Sequence, residues 1–168
     1  MAQTSEATVA VSRVTVHSER PFDDVVAAVY AGLGRVDDFA AEVRRWNAAS
    51  DAAEFEAIVA AESGSSGLIE FLSLDLGAAL SKRDPAHAVR LLRIIAGNPV
   101  TMSKMAATVP DVGSYAPVTI LIAERPEGTT LSYDRVASEI APYGSAEAST
   151  VAAALDDAVV ALLQHAAG

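Results

Sequence analysis

The chain contains no cysteine, and that one absence removes disulfides, thiolate metal sites and cysteine nucleophiles together. Imidazole is almost as scarce. His17, His87 and His165 are the only histidines, and their spacing makes no metal site, so neither a metal nor a cofactor is expected. Aromatic residues make up 5% of the chain, with a single tryptophan, so the core must be built mostly from aliphatic side chains. No run approaches about 18 uninterrupted apolar residues, and the start lacks a basic stretch followed by an apolar one. A soluble, cytoplasmic protein is the expectation. An excess of basic charge is missing too. The net charge of −10 argues against nucleic acid and against anionic membrane surfaces, because both need Lys and Arg to neutralise phosphate.

What is present suits one folded unit. At 168 residues, 51% of them hydrophobic and spread along the chain, a core can form without disulfides or metals. Residues 1–168 are read as a single domain, with 1–7 as a flexible tail and 36–67 as a helical insertion.

Residues 8–17 alternate and are rich in Val and Thr, which predicts a strand. Pro21 then opens a helix with Phe22, Val25, Val29 and Leu33 on one face, stopped at Gly34. Two amphipathic helices follow. The first carries Phe39, Val43 and Trp46; the second is capped by Ser50 or Asp51, with Glu54 at capping-box spacing. The segment from Ser63 to Gly67 reads as a flexible loop, and residues 68–75 as a mostly buried strand followed by one helical turn. The Ile94-Ile95 pair makes residues 89–96 a strand. A short helix carrying Met102, Met105 and Val109 comes next, then a hairpin over 117–133 and a last helix capped by Ser145. The order β-α-(αα insert)-β-β-α-β-β-α predicts an α+β fold, an antiparallel or mixed sheet covered by helices.

The most readable local chemistry lies at Gly97-Asn98-Pro99. Asn98 is a good N-cap, Pro99 suits the first helical position, and Gly97 permits close backbone approach or positive φ. The surrounding stretch, residues 76–123, carries Lys82, Arg83, Arg90, Arg93 and Lys104 against Asp84 and Asp111, a local charge of +3 in an acidic chain. Arg90 and Arg93 are an odd distance apart, so on a strand they face opposite ways.

This order, with the residues that fill it, resembles the family catalogued as domain of unknown function 302. The likeness is carried by 14–34, by Ile95-Ala96-Gly97-Asn98-Pro99, and by the stretch from Tyr115-Ala116-Pro117 to Glu124 followed by Gly128-Thr129-Thr130-Leu131-Ser132-Tyr133. Asp134 stands where such domains often have a proline, and 36–67 is longer than the family's minimal form. The resemblance implies a compact α+β homodimer with no established activity.

Two functions follow as expectations. The first is a small-molecule-binding or regulatory domain, holding a small anion near the helix start through Asn98, Ser103, Lys104, Arg93, Tyr115 and Tyr133. Plain helix capping by Asn98 is the simpler alternative. The second is an enzyme of small-molecule or secondary metabolism using Asp75, Tyr133 or Lys104 in acid-base roles, with Asp75 expected to be desolvated. Met102 and Met105 are read as core residues that would form a soft binding lip only if exposed.

Overall fold

The computed structural model describes residues 1–168, with the side chain of His87 outside the described set, so that histidine's expected lack of a role lies beyond it. Among the described residues, five strands form one sheet in the order β1-β5-β4-β3-β2, and every neighbouring pair is antiparallel. The strands are β1 (Arg13–Ser18), β2 (Ile69–Asp75), β3 (Leu91–Gly97), β4 (Val118–Arg125) and β5 (Gly128–Asp134). Helices are α1 (Phe22–Gly32), α2 (Phe39–Ala48), α3 (Ala52–Glu62), α4 (Leu76–Arg83), α5 (Pro99–Ala106), α6 (Val136–Ile140) and α7 (Ala146–Ala167). The α+β reading holds, with the hairpin inside the sheet.

Strand alternation sorts the sheet into two unequal faces. Ile94, Ala96, Val118, Ile120, Ile122, Leu131 and Tyr133 point to one side and are buried beneath α1, α5 and α7. Along α7, Ala148, Ala152, Leu155, Val159, Leu162 and Leu163 form the stripe that meets them. The other face, which includes Arg93, Ile95, Thr119, Leu121 and Ser132, carries no helix of comparable length across it.

Four expectations need correction. The first strand begins only at Arg13, because Arg13 pairs with Asp134, the last residue of β5, and residues 8–12 have no ladder partner there. Strand β2 is an outer strand rather than a buried one, with Leu72 49% and Leu74 37% exposed. The helical turn after it extends to the eight residues of α4, capped by Asp75, whose carboxylate accepts from Ala78 N at 2.9 Å. Asp75 is exposed, so the desolvation expected of it is absent. Finally, the loop around Gly64 is tied down: Gly64 N and Gly34 N both donate to Leu68 O, and Ser66 donates to Gly32 O through its N and its Oγ. A Cβ at Gly64 would collide with the backbone of Gly32, Leu33 and Gly34, so glycine is there for close approach rather than for flexibility.

Candidate functional site

The Gly97-Asn98-Pro99 turn folds as its residues dictate. Asn98 Oδ1 accepts from Val100 N at 3.0 Å and Thr101 N at 3.1 Å, Met102 N donates to Asn98 O, and Asn98 Nδ2 donates to Gly67 O at 2.9 Å. These bonds use the donors that an anion at the helix start would need. Lys104 stands exposed with Nζ 3.7 Å from Glu56 Oε1, and Ser103 Oγ donates back to Val100 O at 2.8 Å. The anion cradle read from the sequence therefore does not assemble. Asn98 caps the helix through Oδ1 and ties it to Gly67 through Nδ2.

A cavity does lie beside this turn, of another character. It measures about 310 Å3 and is walled by Val43 and Trp46 of α2, Phe55 of α3, Phe71 of β2, Pro99 and Met102 of α5, Pro117, and Leu155 of α7. Asn47, Asn98 and Ser103 supply polar atoms to the lining, and among the described residues no charged side chain takes part. That makeup is the usual one for a small-molecule pocket: apolar walls with a few polar groups to orient the occupant.

Local sequence places each wall. Asp38 caps α2 by accepting from Ala41 N at 2.9 Å, and Asp51 caps α3 by accepting from Glu54 N at 2.8 Å. The Glu54 carboxylate reaches back to Ser50, accepting from its N and Oγ. Phe39, Val43 and Trp46 recur at helical spacing and fall on one side of α2. Opposite them, β2 carries a bulge: Glu70 pairs with Ala96 and Leu72 with Ile95, leaving Phe71 as the extra residue. The bulge turns the Phe71 ring toward α2, with centroids 4.6 Å from Phe39 and 6.0 Å from Trp46. Gly97 makes room for it, since a Cβ there would sit 3.2 Å from the Phe71 ring. Gly97 thus serves close approach and has no positive φ.

Glu62 fastens the helical pair. Its carboxylate, 9% exposed, accepts from Trp46 Nε1 at 2.9 Å and from Arg45 Nη1 at 2.7 Å. Burial pushes the Glu62 carboxyl up, aided by the neighbouring Glu42, while Trp46 and Arg45 oppose that shift. The one indole in the chain is therefore held by its N–H with a ring face left for the cavity.

The remaining sequence candidates lie elsewhere. Tyr133 is 2% exposed; its hydroxyl donates to Asp156 Oδ1 at 2.6 Å, and burial drives its pKa far above the ordinary tyrosine value. Asp75, Tyr133 and Lys104 sit in three separate surroundings and do not converge on one cleft. Arg90 and Arg93 do face opposite ways: Arg90 pairs with Asp23 on the helix side and lies 4.4 Å over the Phe22 ring, whereas Arg93 is on the open face. Arg93 and Tyr115 line a second hollow there. Phe55 and Phe71 are not among the binding residues expected from the sequence, and Met102 is expected there only as an exposed lip. The structure leaves Met102 half-buried at the cavity where Met105 is fully buried, a difference the sequence does not carry. Among the described residues no cluster of His, Asp or Glu is placed to hold a metal ion, and no helix is long and apolar enough to cross a membrane.

These features describe a helix-covered antiparallel sheet with an apolar cavity at one end. The model of the family described as Domain of unknown function DUF302 matches residues 46–165, and the chain belongs to that family. Among solved structures it is similar to the crystal structure of an uncharacterized conserved protein DUF302 from Bacillus stearothermophilus, at 9% identity and a TM-score of 0.65. That likeness covers 92% of this chain and 97% of the other. At such low identity the likeness concerns the fold. No curated protein matches the chain.

Proposed function

We propose that this domain binds a small, neutral, ring-bearing molecule in the cavity beside the Gly97-Asn98-Pro99 turn. The observation that supports this is the lining itself: Trp46, Phe55, Phe71 and Met102 surround about 310 Å3 of space without one charged side chain among the described residues. Burying an anion there with no cation to offset it would cost well beyond the roughly 2–7 kcal/mol of an unpaired neutral polar group. The ligand is therefore apolar or aromatic, with a hydroxyl or amide for Asn98 or Ser103, instead of the anion first expected. An enzyme built on Asp75, Tyr133 or Lys104 has no converging geometry behind it.

Thermal melts with benzyl alcohol and with benzoate as probes test the reading. Benzyl alcohol should raise the melting temperature and benzoate should not, and Met102→Trp, which fills the cavity, should abolish the effect. Equal stabilisation by benzoate, lost in Lys104→Ala, would restore the anion reading and sink this one.

A second reading, self-association as a homodimer, is supported by Leu72 and Leu74, both exposed on the outer strand β2. Gly34 bridges only the start of β2, at Ile69, and the apolar side chains beyond it on an outer strand are a natural place for a second copy to add.

A further inference from the structure

The open face of the sheet holds a second hollow, of about 580 Å3, with a chemistry unlike that of the first. Its floor is Ile95 of β3 and Leu121 of β4, edged by the hydroxyls of Thr119 and Ser132; the loop at Tyr115 and the helix α6 close one end. Two charges of opposite sign line it without meeting. Arg93 donates Nη2 to Thr119 Oγ1 at 3.2 Å and pairs with no carboxylate among the described residues, in a chain where acids outnumber bases 22 to 12. Glu139, half-buried on α6, has neither a hydrogen bond nor an ion pair among the described residues. Its carboxyl is pushed up, first by burial and then by Asp134 and Asp156 nearby. The remaining two charges in the hollow satisfy each other: Arg13 grips Asp134 through two bonds of 2.6 and 2.7 Å.

An unpaired guanidinium and an unpaired carboxylate at different parts of one groove, with an aliphatic floor between, match a molecule with the same parts in reverse order. The separation follows from the sheet. Arg93 rises from β3, and Glu139 lies on the helix that follows β5; β4 stands between those two strands, whose axes are roughly 10 Å apart at about 4.8 Å per strand. We propose that this groove is a second ligand site, taking a small straight-chain ω-amino carboxylate whose carboxylate meets Arg93 and the Thr119 hydroxyl, whose methylenes lie on Ile95 and Leu121, and whose ammonium meets Glu139. Guanidinium and carboxylate each make their strongest hydrogen bonds with an oppositely charged partner, which gives the site its direction. The two hollows share Pro117 and Val118 in their linings, but Arg93, Thr119, Ile95, Leu121 and Glu139, the contacts proposed here, do not line the other cavity.

The test is titration with ε-aminocaproate and its homologues down to γ-aminobutyrate, followed by amide-correlation nuclear magnetic resonance. One chain length should give saturable shifts at Thr119, Leu121 and Ser132. Caproate and hexylamine, each lacking one charge, should bind about tenfold more weakly, as loss of one charged hydrogen bond implies. Arg93→Gln and Glu139→Gln should each weaken binding to a similar extent while leaving the Trp46 indole signal in place, which shows that the fold and the other cavity are intact. Absence of saturable shifts with every homologue, or caproate binding as tightly as ε-aminocaproate, would overturn the proposal. Shifts confined to the Trp46 cavity would overturn it as well. None of these results touches the response of the Trp46 cavity to benzyl alcohol, so the two sites fail separately.

Discussion

Tyr133 and Asp156 form a hydrogen bond of 2.6 Å inside the core, joining the end of β5 to the middle of α7. Asp156 is fully buried and has further tasks: its carboxylate accepts from Val136 N at 2.9 Å and Ala137 N at 3.1 Å, which caps the start of α6, and Arg135 Nη1 lies 4.0 Å away. One acid thus ties a strand and two helices together. Removing it as Asp156→Ala leaves two buried donors and one part-buried donor without their acceptor and should cost about 3 kcal/mol or more, whereas Tyr133→Phe should cost about 1.5–3 kcal/mol. Urea denaturation of both variants checks the order. Equal and small losses would show the network to be incidental.

Gly64→Ala should be severely destabilising despite lying in a surface loop, by about 2 kcal/mol or more, because the added Cβ meets the backbone of Gly32, Leu33 and Gly34 and no rotamer relieves it. Gly113→Ala is the control: a Cβ there meets nothing within 4 Å. Thermal melts of the two variants should differ clearly.

The carboxyl of Glu139 gives a pH dependence with a definite sign. An acid whose pKa is raised on folding holds its proton more tightly in the folded chain, so its contribution is fully present below the ordinary glutamate value and fades as pH rises through the raised one. Glu139→Gln carries no charge to desolvate. It should therefore melt above wild type at about pH 7 and converge with it below about pH 4, where the carboxyl of wild type is protonated in both states. A difference that stays constant with pH would mean that Glu139 acts through packing.

Self-association has its own check. Sedimentation at tens of micromolar, a range suited to about micromolar affinity, should show a dimer that Leu72→Glu with Leu74→Glu converts to monomer. Wild type sedimenting only as a monomer would end that reading.

The sequence was most legible where the chemistry is local. The Asn98 cap, the Pro99 start, the Ser145 cap and the hairpin turn each depend on neighbours within a few residues, and each was readable. Asp156 was not, because its partners lie about twenty residues upstream; its visible trace was an acid on the apolar stripe of α7, between Ala152 and Val159. The cavity was hidden for a similar reason. Val43, Phe71, Met102 and Leu155 come from elements far apart in the chain and meet only through tertiary packing, and the bulge that turns Phe71 has no signature of its own. Charge misled where it was summed by segment: Lys104, Arg90 and Arg93 are close in sequence, yet they end on different surfaces with different partners.

The measurement closest to the central claim is the Trp46 side-chain signal. Because the chain has a single tryptophan, its one indole N–H resonance reports directly on the cavity wall and on the bond to Glu62. Titration with benzyl alcohol should move that resonance saturably, benzoate should leave it nearly unmoved, and Met102→Trp, read at the original Trp46 resonance, should remove the response. A Trp46 resonance that ignores benzyl alcohol, or follows benzoate equally, would contradict the assignment of this cavity to a neutral, ring-bearing ligand.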